Sequence, residues 1–355
     1  MFKKVYTRHV AVRGEEVEAP LATSYDERRL TRRRAWRSAL VLAAFVTSVV
    51  PQLVTVDGDA SPVPSRGTHR NPARSSLLFG EAGPWNAPLP ATPVLDHDSE
   101  EIVEYLSTAR HPAVTNLYEF GVPIWDADAS TPRYDVKCLE PWGTCGLEEQ
   151  PVPLPDEAFA TDVTDDGAMV VIDSSTRTSY EFYDGQKLDG TWQAGWGDAV
   201  DIDGDGTGGA TGAGISRLAG VIRASEIAAR VIDHALVFST NNACAKVYRY
   251  PATKTDGTST RSDCIPEGAR IQLDPDIDLD KITDFTPAEK AVARALQTYG
   301  AYAIDNGGAN MAFIFEVPSG EEDPYQNAGL AWDYYGMDRV PWRSLRVLSQ
   351  WNGHG

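Results

Sequence analysis

The sequence predicts a mainly β fold, a β-sandwich or jelly roll with two or three short helices, preceded by a single N-terminal apolar helix. Three observations lead there. Most of the chain beyond residue 85 consists of short runs rich in β-branched and aromatic residues, set between Gly, Asp and Ser turns. Only two stretches carry a helix start signal followed by apolar spacing of three and four. The strands do not alternate with helices of ten to fifteen residues, which disfavours a parallel α/β sheet, and no internal repeat suggests a propeller or solenoid.

Taken in order, residues 1–38 carry ten Lys/Arg against five Asp/Glu, and Arg28, Arg29, Arg32, Arg33, Arg34 and Arg37 directly precede an apolar run from Ala39 to Val56. Positive charge on that flank holds residues 1–38 in the cytoplasm and sends the chain beyond the apolar run outward. The run reads equally as a signal anchor or a cleaved signal peptide. The long basic leader favours an anchor, whereas the run's length, at the short end for a span, Pro51 within it and Gly58-Asp59-Ala60 after it favour cleavage. Residues 57–84 are Pro-rich without apolar periodicity and read as a disordered linker. Residues 85–355 then form one extracellular domain.

Within that domain, Asp98-Ser99-Glu100-Glu101 with Ile102, Val103 and Leu106 predicts a capped helix ending about Arg110. Thr286-Pro287-Ala288-Glu289 is a second capping box, with an apolar stripe at Ala291, Val292, Ala295, Leu296 and Tyr299 and a stop at Gly300. Strands are expected at Met169 to Asp173, Thr178 to Tyr183, Thr191 to Trp196, Ile232 to Ser239, Arg270 to Leu273, Ala301 to Ile304 and Met311 to Val317.

The net charge is −19, and the basic surplus of residues 1–38 leaves −24 on the remainder. So acidic a body repels nucleic acid, whose binding needs Lys and Arg against phosphates. Membrane association is therefore expected only through the N-terminal segment. The four cysteines, Cys138, Cys145, Cys244 and Cys264, all lie beyond the apolar run. An even number in an oxidising compartment suggests disulfides, and local pairing, 138 with 145 and 244 with 264, is the simplest of three connectivities. A zinc site would need tighter Cys-x-x-Cys pairs.

Asp201-Ile-Asp-Gly-Asp-Gly-Thr207 places carboxylates at alternate positions among glycines, the front half of a Ca2+ loop. Asp201, Asp203 and Asp205 are its candidate ligands. The twelfth position is Gly212, where an EF-hand has a bidentate Glu, so the other reading is a solvated acidic turn. Gly204, Gly206 and Gly209 match a dinucleotide fingerprint in spacing only, because Asp203 and Asp205 would repel a pyrophosphate. The nucleophile, zinc-protease and Walker motifs are missing from the sequence.

Tyr180-Glu-Phe-Tyr-Asp184, together with Trp192 and Trp196, combines carboxylates with aromatic rings of the kind that stack on sugars. Strand alternation puts Glu181 and Tyr183 on one face and Tyr180 and Phe182 on the other. His234 alternates with Ile232, Leu236 and Phe238, the position of a core histidine, and Asp305 opens the turn Asp305-Asn-Gly-Gly308.

Four stretches together carry a resemblance: Trp192-Gln-Ala-Gly195; Ala219 to Ile227 running into Ile232-Asp-His-Ala-Leu236; Ile265-Pro-Glu-Gly-Ala-Arg-Ile-Gln-Leu273; and Ala295 to Gly307. In order and spacing the chain resembles, over roughly residues 85 to 316, a family of uncharacterised exported bacterial proteins, mainly actinobacterial. The resemblance implies one domain with a shared site but no mechanism. Glu181, His234, Arg270 and Asp305 are the polar groups embedded in these otherwise structural motifs, and they are the candidate catalytic residues. The expected function is a carbohydrate-active protein, a glycoside hydrolase or polysaccharide lyase on an envelope or environmental polysaccharide. Glu181 and Asp305 would be acid and base, and Trp192, Trp196 and Tyr183 would bind substrate. The alternative is a non-catalytic surface adhesion or structural protein, with Ca2+ as a candidate stabiliser.

Overall fold

A computed structural model of the chain describes residues 79–80, 83–90, 92–319 and 323–350. The basic segment 1–38, the apolar run 39–56 and nearly all of the linker lie outside the described residues. Among the described residues no helix is long and apolar enough to cross a membrane.

The chain is mainly β, with several sheets and four α-helices among the described residues, one more than the largest number expected. The larger sheet has six strands, in the order Ala113–Asn116, Met311–Ile314, Leu236–Thr240, Ala301–Asn306, Arg270–Leu273 and Leu345–Val347. A second has five: Trp196–Asp201, Thr178–Tyr183, Met169–Asp173, Val122–Ala127 and Glu316–Val317. Both are mixed. Leu236–Thr240 runs parallel to Ala301–Asn306, and Val122–Ala127 runs parallel to Met169–Asp173. The long connection between the first of these pairs includes the helix Pro287–Thr298.

That helix forms where its caps predict. Thr286 Oγ1 accepts the Glu289 N–H at 3.1 Å, Glu289 Oε2 accepts the Thr286 N–H at 2.9 Å, and Pro287 fills the first turn, where no N–H is needed. Ala291, Val292, Ala295 and Leu296 are buried with Leu236, Phe238, Ala301 and Ala303 of the six-stranded sheet. The opposite face of that sheet, with Val237, Tyr302 and Ile304, shares a cluster with Val122, Ile124 and Val170 of the five-stranded sheet. The outer face of the five-stranded sheet buries Met169, Val171, Tyr180 and Phe182 against Trp192, Leu147 and Val152.

Tyr180 and Phe182 therefore face outward to this third cluster, and alternation turns Ser179, Glu181 and Tyr183 to the other face. In the six-stranded sheet the alternation is interrupted once. Phe238 pairs with Ala303, but Ser239 pairs with Asp305, so Ile304 is an extra residue, a β-bulge. Had the ladder run on regularly, with Ile304 opposite Ser239, Asp305 would follow Ala301 and Ala303 onto the helix side. With the bulge, Asp305 shares the face of Ser239.

Several boundaries differ from expectation. The folded body reaches at least Phe79, which is buried against Trp85 and donates its N–H to the Ile202 carbonyl. The run Thr191 to Trp196 is broken at Gly195 into two strands belonging to different sheets. The strand expected from Ile232 begins at Leu236, which leaves His234 in the turn before it. Both local disulfides form, Cys138–Cys145 and Cys244–Cys264.

Candidate functional site

The Gly-rich segment after Asp205 decides where the site lies. Its Ala213, Ile215 and Leu218 join the cluster shared by the two large sheets. One carboxylate from the five-stranded sheet holds it: Glu181, fully buried, accepts the N–H groups of Ala210 at 3.0 Å and Arg217 at 2.6 Å, together with the Ser216 and Ser179 hydroxyls. Its cross-strand neighbour Asp198 accepts the Gly209 N–H at 3.0 Å. Gly209 has a φ of +93°, and a Cβ there would lie 2.5 Å from Glu181 Oε2, so only glycine fits this approach. Burial pushes the Glu181 carboxyl up and these hydrogen bonds oppose it.

On the other side the segment meets the bulge. The Ala213 N–H donates to the Ile304 carbonyl at 3.0 Å, and Gly212 packs so closely that a Cβ would sit 2.5 Å from Asp305 Oδ1. Glu181 and Asp305 thus grip the same segment from two sheets. Only Asp305 reaches open space.

That space is a cavity of about 460 Å³ lined by Asp166, Thr211, Arg217, Ser239, Asp305 and Tyr334, with Asn116, Phe120 and Asn306 among its other walls. Arg217 is 7 % exposed, its Nη2 donates to the Ala210 carbonyl at 2.6 Å, its Nη1 lies 3.9 Å from Asp166 Oδ2, and its Nε has no hydrogen-bond partner. Tyr334 donates its hydroxyl to Glu119, whose backbone N–H, like those of Leu117 and Tyr118, is held by the Asp333 carboxylate. Beside them burial and then Glu119 push Asp165 up to about 7.

Behind Asp305 stand two more acids. Carboxylate oxygens of Asp256, Glu267 and Asp305 all lie within 4.8 Å of one another. Burial first, then the neighbouring acids, push both Glu267 and Asp305 up to about 8.

The remaining expected residues are placed elsewhere or differently. Arg270 is buried beneath the cavity sheet, donating to the Tyr299 carbonyl at 2.7 Å and to the Tyr302 hydroxyl at 3.1 Å with its guanidinium over that ring. It ties the sheet to the helix end and does not line the cavity. His234 pairs through Nε2 with Glu226 at 3.1 Å and through Nδ1 with the Ala235 carbonyl, also away from the cavity lining. Trp192 is buried in the outer cluster at 1 % exposure, so no sugar can stack on it. Trp196 is half-buried with Lys254 5.3 Å over its ring, and Tyr183, opposite it in register, feels the charges of Asp166, Arg217 and Asp305.

Asp201, Asp203 and Asp205 do not converge. Asp201 accepts the Asp203 N–H, Asp203 pairs with Arg177 at 2.6 Å, and Asp205 caps its own turn through Thr207. The alternating carboxylates are explained by turns and an ion pair, and no cluster of three metal-binding groups forms from them among the described residues.

Sequence reasoning missed Asp166, Arg217, Tyr334, Asp256 and Glu267. Asp166-Gly167 and Asp256-Gly257 carry only turn signals, and Glu267 sits inside the Ile265–Leu273 motif with no neighbouring feature to mark it.

The His234–Glu226 pair makes a pH prediction. Burial disfavours the charged ring, but the Glu226 charge and hydrogen bond, with the Ala235 carbonyl, outweigh it and raise the pKa above 6.5, Arg223 opposing. A raised histidine pKa stabilises the fold fully below the unfolded value and loses that contribution as pH rises through the folded value. Urea stability should therefore decline from pH 6 to above 7 more steeply in the wild type than in His234→Gln, and equal slopes would refute the pairing.

Compared with protein family models, with curated proteins and with solved structures, the chain matches none.

Proposed function

We propose that the chain is an extracellular carbohydrate-active protein of β-sandwich type that cleaves a polysaccharide in the cavity between Asp166 and Asp305. The observation that carries this reading is the pair of carboxylates lining one cavity of sugar size together with Arg217, Asn116, Asn306 and Tyr334. Glycosidic cleavage depends on two acidic side chains about the scissile bond, and sugar hydroxyls need side chains that both donate and accept. Asp166, 3.9 Å from Arg217, serves as the base, and the Arg217 guanidinium in the cavity wall supplies positive charge beside it.

Exposed rings flank these groups. Phe120 lines the cavity, Trp332 at 53 % exposure lies edge-on to Tyr334, and Trp142 at 60 % lies beside Tyr183. Tyr and Trp, with an apolar body and a polar tip, are enriched at recognition surfaces. The outward orientation set by the basic leader and the two disulfides support secretion, and the resemblance to exported proteins belongs to the same proposal.

The test is incubation with envelope and plant polysaccharides, following reducing ends and the ultraviolet absorbance of unsaturated sugars. Reducing ends alone would mark a hydrolase, added absorbance a lyase. Asp166→Asn and Asp305→Asn should each lower the rate by a factor on the order of 10² or more while the protein stays folded. No product from any substrate would favour the adhesion alternative.

A further inference from the structure

We propose that Asp256, Glu267 and Asp305 bind a divalent cation of the calcium type at the base of the cavity. Three carboxylates are not enough by themselves, since acidic clusters occur without ions. The additional observation is Glu267: the residue is fully buried, and its Oε1 has no hydrogen-bond partner. A buried carboxylate oxygen without a donor is costly, and the common remedies are a proton or a metal.

Each acid is also fixed for the purpose. Glu267 Oε2 accepts the Asp256 N–H at 3.2 Å, and Asp256 Oδ1 and Asp305 Oδ1 both accept the Asn306 N–H at 3.1 Å. One oxygen of every carboxylate is therefore anchored to the backbone, which orients its other oxygen. Glu267 and Asp256 present oxygens within 4.8 Å of one another, although both are acceptors when ionised. A shared proton or a cation relieves that repulsion.

The dimensions suit calcium. Oxygens within 4.8 Å of one another fit about a single ion with ligands at ~2.4 Å, and hard carboxylate oxygens are what Ca2+ prefers. The smaller Mg2+ demands a tighter octahedron. Asp256 is exposed, so an ion has a way in, and Asp305 links the site to the cavity. With the ion bound, Asp305 acts in the cavity through the ion it holds, and Asp166 is the carboxylate left to act as base, an arrangement that favours the lyase over the two-acid hydrolase. The site lies apart from the Asp201–Asp205 turn.

This inference deepens the proposed function but is tested separately from it. Full-length protein, stripped with chelator, is titrated with CaCl2 by calorimetry and melted with and without the ion. At a hundredfold excess over Kd the midpoint should rise by roughly 5 °C, because a ligand of the native state alone stabilises it. Glu267→Gln and Asp256→Asn should each abolish most of that shift, and Asp203→Asn should leave it intact.

Glu267→Gln removes an unpaired buried acid and so is expected to fold. Should it not, Asp256→Asn at the exposed position decides. The inference is overturned if millimolar Ca2+, Mg2+ and Mn2+ give neither heat nor a shift, or if the shift survives both substitutions. Protein that binds calcium but cleaves nothing keeps the metal site and loses the proposed function. Protein that cleaves equally well in chelator and binds no ion does the reverse.

Discussion

Replacing Glu181 by alanine should lower folding stability by ~3–5 kcal/mol, a large effect for a single polar substitution. The side chain is wholly inside the protein, and its two oxygens serve the N–H groups of Ala210 and Arg217 and the hydroxyls of Ser216 and Ser179. Each buried donor left without an acceptor costs ~1–3 kcal/mol, less whatever the segment recovers by relaxing. Glu181→Gln, which keeps an acceptor oxygen, should lose less. Urea unfolding monitored by tryptophan fluorescence measures both. A midpoint for Glu181→Ala close to wild type, with activity lost, would instead return Glu181 to the role of a reacting acid.

Removing the Cys244–Cys264 bridge should cost ~2–4 kcal/mol. The bridge closes a loop of sequence separation 20, against 7 for Cys138–Cys145, and the entropy withheld from the unfolded chain grows with loop length. The paired serine variant at 244 and 264 should therefore lose about 1 kcal/mol more than the one at 138 and 145. Asp256 lies within the closed loop, so the first variant should also weaken calcium binding, and the second should not. Denaturant midpoints and calorimetry on the two variants separate these effects, and equal losses on both counts would contradict the loop-length origin of the difference.

Much of the local structure can be read in the sequence because local chemistry determines it. The strands Thr178–Tyr183 and Arg270–Leu273 fall where expected, and the helix Pro287–Thr298 results from a cap, a proline and a stripe. The local pairing of cysteines also holds. The features that cannot be read there depend on partners far along the chain. The parallel pairing of Leu236–Thr240 with Ala301–Asn306 joins segments more than sixty residues apart, and nothing inside either strand specifies its neighbour.

The site obeys the same division. Asp305 is visible in the sequence as a polar residue ending an apolar strand, but Asp166, Arg217 and Tyr334 come from separate loops whose own sequences signal only turns. Glu181 is conspicuous for its aromatic neighbours, and those neighbours indicate a strand face rather than access to solvent. Trp192 and Trp196 are four residues apart and alike in type, yet Gly195 sends them into different sheets, one ring wholly inside the outer cluster and the other half-buried against it beneath Lys254. Periodicity assigns faces, and only packing says which face is wet.

The extra residue at Ile304 makes the register of this strand matter more than the identity of the residue there. Another aliphatic side chain at 304 would still fill the apolar layer, and removing the residue would leave Asp305 next after Ala303 and still beside Ser239, whereas a ladder that kept the residue and ran on regularly would drive the Asp305 carboxylate among Phe238, Leu296 and their neighbours. The chemistry of the cavity is in that sense encoded as a parity.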